Sequence, residues 1–271
     1  MGERGEQAAI MDDNSKSEGK KSIAMAVYTD VLHPAMTSVG NILALPFQAI
    51  DAALSSAKLW VAEKQYNFER TRQLLAEKLN DVPPEEIVPP ENYIAVPALQ
   101  QISYCFDSDD LRNLYANLLA ASMQSNKKQE VHPAFVDIIK QLTPDEAKLL
   151  KAIPANSDSY TPVIDLIVRH LKTKGFSVIY YHYSDIANKV CDCPHNICSY
   201  LENLDRLKLI EIDMETFIIN EDLYNGLKSS PVIQEFTQQP LPDGDSYDFR
   251  KGCFRLTSFG LSFVNLCIWG K

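Results

Sequence analysis

The chain has 271 residues, 45% of them hydrophobic and 23% charged, which excludes a collagen-like or wholly disordered protein and suggests one large or two small folded units. Lysine and arginine number 26 against 36 acidic residues, a net charge of -10. A broad nucleic-acid-gripping face needs the opposite sign, so that function class is disfavoured.

Residues 1–21 are polar and aperiodic and read as a disordered leader without the apolar core of a secretory signal. The six cysteines, Cys105, Cys191, Cys193, Cys198, Cys253 and Cys267, then fit a reduced cytoplasmic setting. From Ile23 to Asn80 apolar residues recur at steps of three and four, the stripe of a helix, with Pro34 and Pro46 starting or kinking it. Residues 31–50 carry no formal charge, long enough to cross a bilayer. Only 12 of these 20 are apolar, and the run contains two prolines, so a buried helix is the first reading and membrane contact the second.

Five prolines in DVPPEEIVPPENYIAVP (81–97) predict an extended connector packed on the helices through Ile87, Val88, Ile94 and Val96. The acidic DSDD leads a helix with Leu111, Leu114, Tyr115, Leu118 and Leu119 inward, and His132-Pro133 opens another with Phe135, Ile138, Ile139 and Leu142. No glycine lies between Gly40 and Gly175, where average usage would give roughly nine, so helices joined by proline-rich turns are expected there and phosphate loops are not. The first unit is thus a helical bundle over residues 22–142.

Thr143-Pro144-Asp145-Glu146 has the form of a capping box with proline at the first helical position. Thr161-Pro162 repeats the signal and predicts a helix ending at Gly175. FSVIYYHY (176–183) reads as a strand, followed by helices over Ser184–Val190 and Pro194–Leu207, strands at LIEID and TFIIN, a long loop over 226–248, a strand at FRL and a last helix capped by Thr257. Apart from the helix at 161–175, this is the element order of a winged helix. The expected fold is mainly α, a helical bundle followed by a winged-helix-like α+β module at residues 143–271.

Cys191, Cys193, His195 and Cys198 supply the atoms of a zinc site, but all lie within eight residues instead of on two separated knuckles, so a tight inter-helix turn is the plainer reading and no metal or cofactor is implied. His33 and His132 precede proline, His170 falls late in a predicted helix, and His182 lies on a strand. No G-x-S-x-G, H-E-x-x-H or Walker sequence is present, so a non-catalytic role is expected. In a winged helix the helix at 194–207 would be the reader, presenting His195, Asn196, Ser199, Asn203 and Arg206 to a partner. Residues 143–271 carry 13 basic and 17 acidic side chains, which favours a protein over DNA.

The stretches EKLNDVPPEEIVPP, IAVPALQQISYCFD, LRNLYANLLAASM and VHPAFVDIIKQLTPDEAKLL, with LENLDRLKLIEI and RLTSFGLSFVNLC, resemble the abortive-infection alpha family across roughly residues 25–267. The resemblance implies a bacterial role in phage defence and carries no catalytic or binding residue across. Three readings follow: a phage-defence protein acting by protein contact, a winged-helix DNA-binding regulator, and a toxic effector that enters membranes through residues 31–50.

Overall fold

A computed structural model describes residues 65–102, 108–156 and 159–270. The leader at 1–21 and the uncharged stretch at 31–50 lie outside the described residues. The described residues form a mixed α+β fold, in which helices pack around a four-stranded antiparallel sheet.

Helix α1 (Gln65–Leu79) buries Leu75 and Leu79 completely and packs against α3 (Asp109–Ser122). The connector is shorter than its prolines suggest. It ends before α2 (Asn92–Ile102), which contains Pro97 inside its span and buries Ile94, Ala95, Ala98, Leu99 and Ile102. A proline inside a helix deletes one backbone donor. Burial of that apolar face outweighs the lost bond, and the carbonyl left over belongs to the exposed Tyr93. The connector itself is strapped to the end of α3. Val88 N donates to Met123 O at 2.8 Å and Ser125 N to Glu86 O at 2.9 Å.

Ser108 caps α3 by accepting from Leu111 N, with Asp109 and Asp110 in the first turn. From Leu114 to Ser122 every residue of α3 is buried, as is its C-cap Met123, so it is the central helix and not an amphipathic surface helix. His132 starts α4 (Ala134–Lys140) by accepting from Ala134 N through Nδ1 at 3.1 Å. The capping box of α5 (Pro144–Ala152) is complete, with Thr143 Oγ1 accepting from Glu146 N and Glu146 Oε2 accepting from Thr143 N.

The segment expected as a second helix is a strand. Strands β1 (Thr161–Arg169) and β2 (Phe176–Tyr183) form a hairpin, and the sheet order is β2-β1-β4-β3 with β3 (Ile210–Asp213) and β4 (Ser246–Leu256). Thr161 and Pro162 therefore open a central strand, and Gly175 lies in the hairpin turn instead of ending a helix. Pro162 is tolerated because it lies at the second position, before pairing with β2 begins at Ile164. Side chains Val163 to Val168 are buried on both faces, which explains why the run lacks the alternation that marks a strand. This hairpin departs from winged-helix element order.

Helix α6 (Ala187–Val190), a 3₁₀ turn at Pro194–Asn196 and α7 (Ile197–Arg206) follow as expected, with Ile197, Leu201 and Leu204 inward. TFIIN is not a strand. Its Asn220 caps α8 (Glu221–Lys228) through Asp222 N, and Ser230 caps α9 (Pro231–Thr237), so much of the expected loop at 226–248 is helical. Thr257 caps α10 (Ser258–Phe263), which continues as a π-helical segment Val264–Trp269. Residues from α1 through this last segment share one buried apolar cluster.

Gly260 sits where α10 meets the turn before β3. A Cβ there would lie 1.8 Å from the Leu209 carbonyl oxygen, whereas one at Gly226, inside α8, would meet nothing within 4 Å. Gly260→Ala is expected to lose roughly 3 kcal/mol or more in urea unfolding. Gly226→Ala is expected to gain about 0.5–1 kcal/mol by helix propensity.

Candidate functional site

The Cys191–Cys198 turn is built on one carboxylate. Asp145, in the first turn of α5, accepts from Asp192 N at 2.9 Å, Cys193 N at 2.8 Å and the Tyr200 hydroxyl at 2.9 Å, with Lys148 Nζ at 3.5 Å. Burial alone would raise its pKa, but these donors outweigh burial and hold it below the ordinary value. The same burial pushes the Cys191 thiol up to about 11 and Cys198 up to about 12, helped by Asp145 and Glu202 respectively. Thiolates, not thiols, bind zinc and attack carbon. Cys191 Sγ donates to the Asp145 carbonyl and Cys198 Sγ to Glu202, and His195 is exposed. Among the described residues no group of three His, Cys, Asp or Glu side chains is arranged to hold a metal ion.

The predicted partner face divides. His195, Asn196, Ser199 and Arg206 are exposed and Asn203 is half-buried, with Asn196 Nδ2 donating to Tyr200 at 3.5 Å. Asn203 Nδ2 instead donates to Glu146 Oε1 at 2.7 Å and to the Gln141 carbonyl at 3.1 Å. Arg206 donates to Gln141 Oε1 at 3.0 Å and to Asn203 Oδ1 at 2.7 Å. These two residues lock α7 to the junction between α4 and α5.

The hairpin creates a constellation that the helical reading hid. His170 leaves β1, Ser177 enters β2, and Asp245 precedes β4, so all three meet at one end of the sheet. His170 Nδ1 lies 2.7 Å from Asp245 Oδ2, and His170 Nε2 lies 2.8 Å from Ser177 Oγ. The hydrogen bond from His170, reinforced by the Leu171 N–H, holds the Asp245 carboxyl below its ordinary pKa. An ionised Asp245 can only accept, so Nδ1 carries the proton between them, and in the neutral imidazole Nε2 is then the acceptor for the Ser177 hydroxyl. Hydroxyl, imidazole and carboxylate thus stand in the order that nucleophilic catalysis uses.

A helix would have spaced His170 and Ser177 by roughly 10 Å along its axis. The signal that could have found the site is TPVIDLIVR and FSVIYYHY, two β-rich runs flanking the short turn HLKTKG.

A second imidazole–carboxylate pair lies deeper in the sheet. Asp165 is buried and accepts from His182 N at 2.9 Å, with His182 Nδ1 at 3.3 Å and Arg250 Nη1 at 3.6 Å. The β1–β2 register shifts on either side of Leu166, and His182 has a φ of 49°. A bulge therefore aims the His182 N–H at the acid. Burial would raise the Asp165 pKa, but His182 and Arg250 bring it down. This group satisfies a buried charge, whereas the Ser177 hydroxyl faces solvent.

The family model described as abortive infection alpha matches residues 63–267. The chain belongs to the abortive infection alpha family. Ser177, His170, Asp245 and Asp145 all fall inside the span shared with that family. No curated protein matches. A solved structure of an uncharacterised protein from the hydrocarbon-degrading marine bacterium Alcanivorax borkumensis SK2 is similar over 52% of this chain and 94% of its own, at 21% identity and a TM-score of 0.34. Among the described residues of this abortive infection alpha chain, no helix is long and apolar enough to cross a membrane.

Asp145→Ala strands two backbone donors and a tyrosine hydroxyl, and is expected to cost about 2–3 kcal/mol in urea unfolding at pH 7. Because the folded pKa is depressed, that stability is fully present above the unfolded value of about 4 and is lost as the pH falls through the lower folded value. The gap between wild type and variant should stay constant from about pH 5 to 8 and shrink in more acid solution. Urea titrations across that range measure it.

Proposed function

We propose that the chain acts in bacteriophage defence by contact with another protein. Membership of the abortive infection alpha family, matched from residue 63 to 267, is the observation that carries this reading. Two further features support it. The net charge of -10 opposes phosphate-rich partners. Three exposed apolar side chains lie close together in the chain, Phe217 at 53%, Ile219 at 91% and Leu223 at 41% exposure. An apolar side chain as open as Ile219 gains from burial against a partner, and its neighbours extend the area.

Cells expressing the chain should plate at least one phage of a broad panel less efficiently, by an order of magnitude or more, than cells with empty vector. Full plating of every phage would count against a defence role. Phe217→Ser with Ile219→Ser should restore plating while changing stability little, since neither side chain is in the core. Undiminished protection by that folded variant would remove the segment from the contact.

A further inference from the structure

We propose that Ser177 is a nucleophile for carboxylic esters, with His170 as its general base and Asp245 as the residue that orients the imidazole. The contacts are 2.8 Å from Ser177 Oγ to His170 Nε2 and 2.7 Å from His170 Nδ1 to Asp245 Oδ2. Both are within the reach a nucleophile–base–orienter set requires.

The geometry is held from several sides. Asp245 Oδ1 accepts from Leu171 N at 3.1 Å, which fixes the plane of the carboxylate while Oδ2 faces the imidazole. The His170 backbone is clamped within its turn, its N–H donating to Gly175 O and its carbonyl accepting from Lys174 N, each at 2.9 Å. Gly244, at φ 88°, lets the chain turn into Asp245. A Cβ there would lie 2.6 Å from Leu171 Cδ2.

Packing does not demand this arrangement. The His170 side chain is one-third exposed and Ser177 is exposed, so water could satisfy both groups. The opposite holds at Asp165, where a buried acid must find internal partners. An exposed hydroxyl aligned on an imidazole whose far nitrogen is tied to a carboxylate can be approached by substrate. Leu171, 68% exposed, offers an apolar contact beside it, and the exposed Lys172 and Lys174 border the turn. This favours an ester with an apolar acyl part and an anionic remainder.

In the acylation step Ser177 Oγ bonds to the ester carbonyl carbon while its proton passes to His170 Nε2. The carbon–oxygen bond to the leaving group breaks, and the departing alkoxide takes that proton as the alcohol. Water then attacks the acyl-serine, giving its proton to Nε2. The acid is released, and Ser177 Oγ recovers the proton. A preorganised oxyanion donor typically supplies a further 10²–10³ in rate, roughly. The three residues by themselves therefore point to ready acylation by reactive esters and slow turnover, so covalent labelling is the sensitive readout.

The test uses the full chain and a fluorophosphonate probe, in which attack by Ser177 Oγ expels fluoride and His170 takes the hydroxyl proton. Mass spectrometry of the digest should place a single adduct on the Ser177 peptide, and Ser177→Ala should abolish it. His170→Gln, which keeps hydrogen-bonding capacity but no base, should slow labelling by about 10²-fold or more. Asp245→Asn should slow it by a smaller factor. Thermal melts establish that the variants fold, and the wild-type result stands without them. Absence of an adduct at Ser177 in the wild type overturns the proposal, as does equal labelling of folded His170→Gln. This inference does not rest on the defence reading: plating tests one and labelling the other, so either can fail alone.

Discussion

The side-chain amide of Asn117 sets the constraint on which the rest of the structure depends. The last described helix ends at the exposed Trp269, but Leu266 and Cys267 before it are buried, and the carbonyls of its final turn have no partner within the helix. Left buried and unpaired, each would cost about 1–3 kcal/mol. Asn117, midway along the central helix, donates to the Cys267 carbonyl at 2.7 Å and to that of Ile268 at 3.2 Å. Gly270 then turns left-handed at φ 65° and releases the chain. The bond joins residues 150 apart. Aromatic packing reinforces the same seam, since Phe135 stands edge-on to Phe263 and His132 edge-on to Phe259. With α10 fixed against α3 and α4, β4 is fixed behind it. The strands paired to β4 then place the hairpin turn that carries His170.

Carboxylates organise the second half of the chain. Asp145, Asp165 and Asp245 each accept backbone N–H groups from a distant segment, and each is held ionised by its donors. Charge-assisted bonds of this kind are stronger than neutral ones, and they pin turns that have little apolar surface of their own. Asp145 shapes the cysteine turn and Asp165 shapes the bulge at His182. Asp245 shares the pattern but differs in its second partner, an imidazole whose other nitrogen reaches an exposed hydroxyl.

Local chemistry is legible at several helix starts specified by their own few residues. Thr143 with Glu146, His132 with Pro133, and Thr257 ahead of α10 all act as their types and spacing imply. The same logic misread Thr161-Pro162. That dipeptide carries the start signal of Thr143-Pro144, yet pairing with β4, more than eighty residues later, draws it into a strand. Because β1 is buried on both faces, its apolar run carries no period to oppose the helical reading. The error hid the relay, since His170 and Ser177 approach only when the chain folds back between them. On α7, Asn203 and Arg206 carry hydrogen bonds to the α4–α5 junction that their place on an outward face does not announce.

The amino-acid sequence by itself determined the helix starts, the most apolar stripes, the acidic balance and the phrases that resemble the family. Each of these depends on residues within a few positions of one another, or on composition alone. Only the tertiary structure decided that 161–169 is a central strand, that the cysteine turn hangs from Asp145, and that Ser177, His170 and Asp245 share one end of the sheet. Those outcomes rest on bonds between residues 7 to 93 positions apart, and their strength comes from burial and alignment that exist only after the chain has closed.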